Sequence, residues 1–301
     1  MTSASLLNQL PTLATHLQQS RYRYDDDLGA AFFFMTPEPR PCFNTTLLRE
    51  LRLFQQAAAR QVLLDTQQHG ESNLKYTVLA SSVPGVFNLG GDLNLFLELI
   101  EQQDRDKLLS YAITCIDIAH QMSISLDSQL TTIALVQGSA QGGGLEGALS
   151  CNVIIAECGT LLGFPEVLFN LFPGMGAYSF LRQRVNSALA EQIILSGKLY
   201  RAEELHEMGI IDILAETGKG EEALQEYIHQ SNKRSNAQAL IRHTRNHYNQ
   251  VSYQELHDIT SMWVDCAMNI STRDLKTMGR LIRAQNHKIQ KMQTRDKQLT
   301  K

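Results

Sequence analysis

The chain has 301 residues, 43% hydrophobic and 19% charged, which provides for a sizeable core in one large domain or two small ones. No uncharged apolar run reaches membrane-spanning length, and no Lys or Arg precedes Arg21 to make a secretory leader, so a cytoplasmic protein with no membrane contact is expected. Five scattered cysteines without a CxxC pair argue against a disulfide framework and a zinc site, and the net charge of −4 conceals an asymmetry: residues 231–301 hold 13 Lys/Arg against 5 Asp/Glu.

Residues 1–20 read as a polar lead-in. AAFFFM at 30–35 is a β-favouring run, stopped by Pro37, Pro39 and Pro41. Asn44 caps a helix in which Leu47, Leu48, Leu51 and Phe54 recur at helical spacing to about residue 60, and a fresh apolar run starts at 61–65. YTVLA at 76–80 is a buried strand. Gly90 and Gly91 then stand before a long helix expected over 93–121 and capped by Asp92. A glycine pair in that place leaves the Gly91 N–H free to face a ligand.

TTIALV at 131–136 is a strand that delivers the chain into three glycines at 142–144 and a helix start carrying Leu145 and Glu146. Glycine backbone approaches a ligand closely, and the partial positive charge of a helix start suits a developing oxyanion. Twenty residues on, the apolar turn of Gly163, Phe164 and Pro165 presents Glu166. Two acids beside an oxyanion-binding turn point to acid/base chemistry on a carbonyl compound; an exposed helix or turn position is the plainer alternative for each.

Further strands follow at 152–156, 161–164 and 210–214, alternating with helices at 176–184, 188–196 and 201–208. Strand, turn, helix, strand is the pattern of an α/β fold with its chemistry on the loops at one end. Beyond residue 220 only helices are expected, at 221–247, 252–270 and 272–295, so residues 1–220 are read as an α/β core with its lead-in and 221–301 as a C-terminal helical region. The basic residues of that region are spread along helical sequence, which argues against a nucleic-acid tail. His243 and His247 have the spacing of two metal ligands but lack the intervening glutamate of a zinc protease, and no metal or other cofactor is indicated. Ser139 between Gly138 and Gly142 has the look of a nucleophile elbow, yet nothing in the sequence places a histidine and an acid beside it.

Four motifs occur together: Phe87, Gly90, Gly91 and Asp92; Val136, Gly138, Ala140, the 142–144 glycines and Glu146; Gly163 to Glu166; and Pro173, Gly174 and Gly176. In combination and spacing they resemble the crotonase, or enoyl-CoA hydratase, superfamily. The resemblance implies a spiral of ββα units that binds an acyl thioester, with the backbone N–H groups of Gly91 and Gly143 on the thioester oxygen. It further implies Glu166 acting at C2 and Glu146 at the hydroxyl or water. Gly90, Gly142, Leu145, Met175, Trp263 and Leu281 are the expected substrate-binding positions.

A narrower resemblance rests on Pro39, Arg40, Pro41, Cys42, Phe43 and Asn44, on the FNLGGDL run at 87–93, and on Trp263 with the segment from Asp274 to Gln285. These residues are similar to those of bacterial diffusible-signal-factor synthases. That resemblance implies dehydration of a 3-hydroxyacyl chain on acyl carrier protein, then thioester hydrolysis, releasing a cis-2-unsaturated fatty acid for quorum sensing. It also implies a homotrimer or dimer of trimers built through the C-terminal helices. Two alternatives remain open at this stage: a hydratase or isomerase acting on acyl-CoA, and a non-catalytic regulatory binder of a sensor kinase.

Overall fold

Runs of Val, Ile, Leu, Phe and Ala with few polar interruptions favour strands buried on both faces, the situation of a parallel sheet covered by helices. In the computed structural model, which describes residue 13 and residues 17–299 except for the side chains at 242, 243, 246 and 288–299, such runs form the centre of a six-stranded sheet. Its strands are β1 (Ser20–Asp25), β2 (Ala30–Met35), β3 (Tyr76–Ser81), β5 (Thr131–Val136), β7 (Val153–Glu157) and β10 (Ile213–Ala215), side by side in that order. All neighbours are parallel except β1, which pairs antiparallel with β2 at the edge. The rest of the lead-in, residues 1–12 and 14–16, and the His243 side chain lie outside the described residues.

A second, smaller sheet holds β4 (Val86–Asn88), β6 (Ser139–Gln141), β8 (Leu161–Gly163) and β9 (Leu199–Arg201), parallel but for the last pair. From β3 to β8 each turn of the chain gives one strand to the large sheet, the next to the small sheet, and then a helix or 3-10 turn, whereas β1 and β2 both join the large sheet. This repeated ββα path is the crotonase spiral, and it brings the ends of β4, β6 and β8 to one place.

Helix α1 (Thr45–His69) starts where Asn44 accepts a hydrogen bond from the Leu47 N–H at 2.9 Å. It continues through residue 60 without the interruption expected, because nothing in 61–65 breaks a helix. The single helix expected over 93–121 is two, α2 (Leu93–Glu101) and α3 (Arg105–Ser123). The chain turns at Gln103, with φ +57°, and Asp104 re-caps it by accepting from the Lys107 N–H at 3.1 Å. Likewise the run 221–247 divides at Arg234 into α8 (Gly220–Lys233) and α9 (Ser235–Tyr248).

The central helices are α4 (Gly143–Leu149), α5 (Ala177–Arg182), α6 (Ser187–Ser196) and α7 (Ala202–Glu207). Two C-terminal helices, α10 (Tyr253–Met268) and α11 (Thr272–Leu299), fold back over the spiral, α10 against α3 and α11 against α2 and the 3-10 turn Glu166–Phe169. One hydrophobic cluster runs from Leu51, Phe87 and Phe164 to Val264 and Met278, so these helices share the core of the sheets. Among the described residues, no helix is long and apolar enough to cross a membrane.

Candidate active site

The glycines after β6 make the turn possible. Gly142 has φ +52° and ψ −125°, a conformation that disfavours any side chain, and a Cβ there would run into Oε1 of Glu166. Its N–H donates to the Gly163 carbonyl at 2.9 Å, fastening the turn to the end of β8. Gly143 opens α4, so its N–H has no acceptor within the helix. After β4 the chain turns again at Gly90, φ +94°, whose N–H donates to Asn88 Oδ1 at 2.8 Å and whose carbonyl accepts from the Phe43 N–H at 2.8 Å. These bonds hold Gly91 against the other turn: a Cβ built on Gly143 would lie 3.3 Å from the Gly91 nitrogen. Among the described residues neither the Gly91 nor the Gly143 N–H finds a protein acceptor, which leaves two adjacent backbone donors.

The carboxylates are fixed in different ways. Glu146, in the first turn of α4 and 2% exposed, accepts at Oε1 from the Met175 N–H (2.8 Å) and the Ala177 N–H (3.0 Å). Burial pushes its pKa up to about 7, the two N–H bonds opposing the rise. Glu166 starts the 3-10 turn after Pro165, and its Oε2 is buried without a hydrogen-bond partner among the described residues. Burial first, and then the Glu146 charge, raise its pKa to about 8. Between the two titrations the pair shares one proton, so the site holds one acid and one base together.

Both glutamates, Gly90, Gly91, Gly142, Gly143, Met175, Trp263 and Leu281 line one cleft. Of the positions singled out in the sequence only Leu145 is elsewhere: it is 1% exposed and packed in the hydrophobic core. Neighbours on a helix diverge by about 100°, so the turn that aims Glu146 into the cleft turns Leu145 away from it.

Sequence reading missed Phe96, Phe169 and Leu171, and held Leu89 and Gly174 within motifs without assigning them to the lining they belong to. Phe96 meets Trp263 edge-on at 5.2 Å and Tyr111 at 5.3 Å, and the Trp263 indole lies so close on Gly174 that a Cβ there would collide with it. The one available signal for these was the apolar spacing of α2; the approach of α10 to Gly174 left none in the sequence.

Other nucleophiles drop out. The Ser139 hydroxyl sits in β6, donating to the Leu161 carbonyl at 3.1 Å and accepting from the Gln141 amide at 3.1 Å, so it is tied into the small sheet. Burial pushes the Cys115 thiol up to about 12, which keeps it protonated. Among the described residues no group of three or more His, Cys, Asp or Glu side chains is gathered that could hold a metal ion.

The family model described as enoyl-CoA hydratase/isomerase matches residues 37–281. An Arabidopsis thaliana protein, "Probable enoyl-CoA hydratase 2, mitochondrial", is 28% identical over 167 residues, 55% of this chain, and the match spans about half (53%) of that relative's length. Human mitochondrial delta3-delta2-enoyl-CoA isomerase superposes with a TM-score of 0.68 at 17% identity, covering 90% of this chain and 99% of that one. Pseudomonas aeruginosa DspI superposes with a TM-score of 0.58 at 21% identity, covering 71% and 81%. At such identities the structural likeness concerns the fold. The family match spans most of the chain, from the turn before α1 into α11, and the chain therefore belongs to the enoyl-CoA hydratase/isomerase family.

Proposed function

We propose that this protein dehydrates a 3-hydroxyacyl thioester on acyl carrier protein and then hydrolyses the thioester, releasing a cis-2-unsaturated fatty acid as a quorum-sensing signal. The observation that carries the acid/base half is the Glu146–Glu166 pair, both buried and both held protonated to higher pH than a free glutamate, in a cleft shared with the N–H groups of Gly91 and Gly143. An α-proton of a thioester leaves only when the enolate oxygen is stabilised, the role open to the two N–H donors. In the tautomer with the pair's proton on Glu146, the less populated one because Glu166 has the higher pKa, Glu166 takes the proton from C2. Glu146 gives its proton to the C3 hydroxyl, which departs as water, and the single proton of the pair has moved from Glu146 to Glu166. In the second step a water attacks the carbonyl, a carboxylate of the pair takes its proton, and the same donors hold the tetrahedral oxyanion; as the oxyanion collapses the C–S bond breaks and the thiolate takes that proton from the carboxyl to leave as thiol.

The finer part of this reading rests on the Pro39 to Asn44 and Asp274 to Gln285 motifs. Support comes from their meeting in space: Arg40 Nη2 donates to Gln285 Oε1 at 2.7 Å, and Gln285 lines the cleft. A carrier-protein substrate and assembly into trimers through the C-terminal helices belong to the same proposal.

Hydration or isomerisation of acyl-CoA is the second reading, favoured by the description of the matched family. It uses the same residues, because the tautomer with the proton on Glu166 is the one that adds water. The test incubates the protein with a 3-hydroxyacyl carrier protein and, separately, with a 2-enoyl-CoA, and analyses both by mass spectrometry. Free 2-enoic acid from the carrier substrate supports the proposal. Hydrated acyl-CoA with no free acid in either reaction assigns the second reading instead.

A further inference from the structure

Helix α10 meets the turn 174–176 along one face. Leu256, Thr260 and Trp263 recur at positions i, i+4 and i+7, and all three are at most 3% exposed. Leu256 closes on Gly176 and the Trp263 indole on Gly174, each so near that a Cβ on the glycine would collide with it. Thr260 is the polar member of this face. A threonine inside a helix commonly gives its hydroxyl to the carbonyl four residues back. Thr260 Oγ1 donates instead to the Gly174 carbonyl, 86 positions away, at 2.8 Å. Among the described residues no backbone N–H donates to that carbonyl, and Gly174 is buried.

We propose that Thr260 is a positioning residue for Glu146, acting through the Gly174–Met175 peptide. The C=O and N–H of a trans peptide point in opposite directions in one plane, so a bond that fixes one fixes the other. Thr260 holds the Gly174 oxygen on one side of this peptide, and on the other the Met175 N–H donates to Glu146 Oε1, also at 2.8 Å. The Ala177 N–H adds a second bond to the same oxygen at 3.0 Å. Both protein bonds therefore fall on Oε1, and Oε2 is left to meet the hydroxyl at C3. Without the Thr260 hydroxyl the Gly174 carbonyl is buried with no donor. The peptide then gains by rotating towards another partner, which takes the Met175 N–H off the carboxylate. The inference rests on the acid/base reading of Glu146 and deepens it, because it makes a residue of α10 govern where the reacting proton is held.

The experiment follows the NMR signal of the Glu146 carboxyl carbon against pH in wild type, Thr260→Val and Thr260→Ser, the signal being assigned by its loss in Glu146→Gln. Melting curves verify that each variant folds. Valine keeps the shape of threonine without the hydroxyl, and serine keeps the hydroxyl without the methyl. The titratable groups whose charge bears on Glu146 are Glu166 of the 3-10 turn and the Cys115 thiol of α3, while Glu255 of α10 is engaged by the Ser179 hydroxyl. A hydrogen bond lost from a carboxylate raises its pKa. Glu146 should therefore titrate about one pH unit higher in Thr260→Val, the scale of one bond to a charged group, and as in wild type in Thr260→Ser. For dehydration of a 3-hydroxyacyl thioester, kcat should fall roughly tenfold in Thr260→Val with a smaller change in KM. The acid limb of its pH profile, where the pair takes up its second proton, should move up with the titration, and Thr260→Ser should restore both. A shifted titration in a protein that turns over no thioester would keep the positioning role and sink the reaction assigned to the site. An unchanged Glu146 titration in folded Thr260→Val, or wild-type kcat beside a shifted one, would overturn the proposal. Thr260→Ala decides in the same way should valine prevent folding.

Discussion

Arg40 and Gln285 stand 245 positions apart in the sequence and share a buried hydrogen bond of 2.7 Å. Arg40 is 6% exposed, and among the described residues its Nε and Nη1 are buried without a hydrogen-bond partner, so the Gln285 oxygen is the acceptor that compensates the buried cation. Gln285 passes the contact on, donating to Gln141 Oε1 at 3.2 Å beside the glycine turn. Removing the acceptor should hurt more than removing both partners, because a buried charge is left with nothing. Gln285→Leu is expected to lower stability by about 2–3 kcal/mol, and adding Arg40→Met to recover most of that loss. Denaturant unfolding of the two single variants and the double variant checks this. A double variant less stable than either single variant refutes the account.

How legible this was in the sequence depends on the kind of information each feature needs. The strand at 131–136 and the caps Asn44 and Asp92 are written in local chemistry and stand where the pattern places them. β4, β6 and β9 are three residues each, too short for a period to declare itself, and they form the sheet that gathers the site. The two glutamates were visible because a motif surrounds them. Phe96 was not, and Gly174 stood in a motif without its role in the lining, since both places depend on how α10 returns to the spiral, and no local pattern encodes a contact between residues 174 and 263. Leu145 shows the limit of reading neighbours together: it adjoins Glu146 in sequence and faces the core in space.

The donor pair invites a minimal perturbation. A methyl on Gly143 would sit 3.3 Å from the Gly91 nitrogen, in the space an oxyanion must occupy, while the Gly143 backbone has no positive φ to forbid alanine. Gly143→Ala is therefore expected to fold and to lose on the order of 100-fold or more in kcat, the scale of one lost oxyanion donor. Gly91→Ala is a poorer probe, because its Cβ would press on the Phe96 ring. Wild-type kcat in a folded Gly143→Ala protein would mean that the thioester oxygen binds elsewhere.

Buried carboxyls also write a pH dependence into stability. Between about pH 4.5, where an unfolded glutamate titrates, and pH 7–8, the folded protein keeps protons on Glu146 and Glu166 that the unfolded chain has released. With more protons bound in the native state, stability falls as pH rises across that window. Glu166→Gln removes one of the two groups, so it should melt higher than wild type at about pH 8, with the difference shrinking towards about pH 5. At about 1.4 kcal/mol per pKa unit the gain at the upper end is on the order of a few kcal/mol. An equal difference in melting temperature at both pH values would show that the carboxyl titrates normally.

Carrier recognition makes a separate demand. Residues 231–301 carry 13 Lys/Arg against 5 Asp/Glu, and we expect this basic region to help dock an acidic acyl carrier protein. Opposite charges raise encounter rates, and salt screens them over about 8–10 Å. Turnover of a 3-hydroxyacyl carrier protein should fall with added salt more steeply than turnover of the same acyl group on a small neutral thioester. Parallel salt curves for the two substrates would remove the docking role.

The two glutamates must serve both halves of the proposed reaction. Dehydration needs a base at C2 and an acid at C3, hydrolysis needs a base for water beside the same carbonyl, and among the described residues Glu146 and Glu166 are the only titratable side chains lining the cleft. One of them has to act twice. Glutamine at either position preserves size, and at 146 its carbonyl oxygen still accepts from the Met175 and Ala177 N–H groups, so the turn that opens α5 should hold. Proton transfer is lost, and dehydration is expected to fall by roughly 100-fold or more in each variant. The separating measurement gives each variant the already dehydrated cis-2-enoyl thioester and follows free acid. The variant that has lost the water-activating base should stall on this substrate too, whereas the other should hydrolyse it faster than it dehydrates the 3-hydroxyacyl form. If Glu146→Gln and Glu166→Gln both release acid at the wild-type rate, hydrolysis does not pass through this pair, and a separate thioesterase must complete the synthesis.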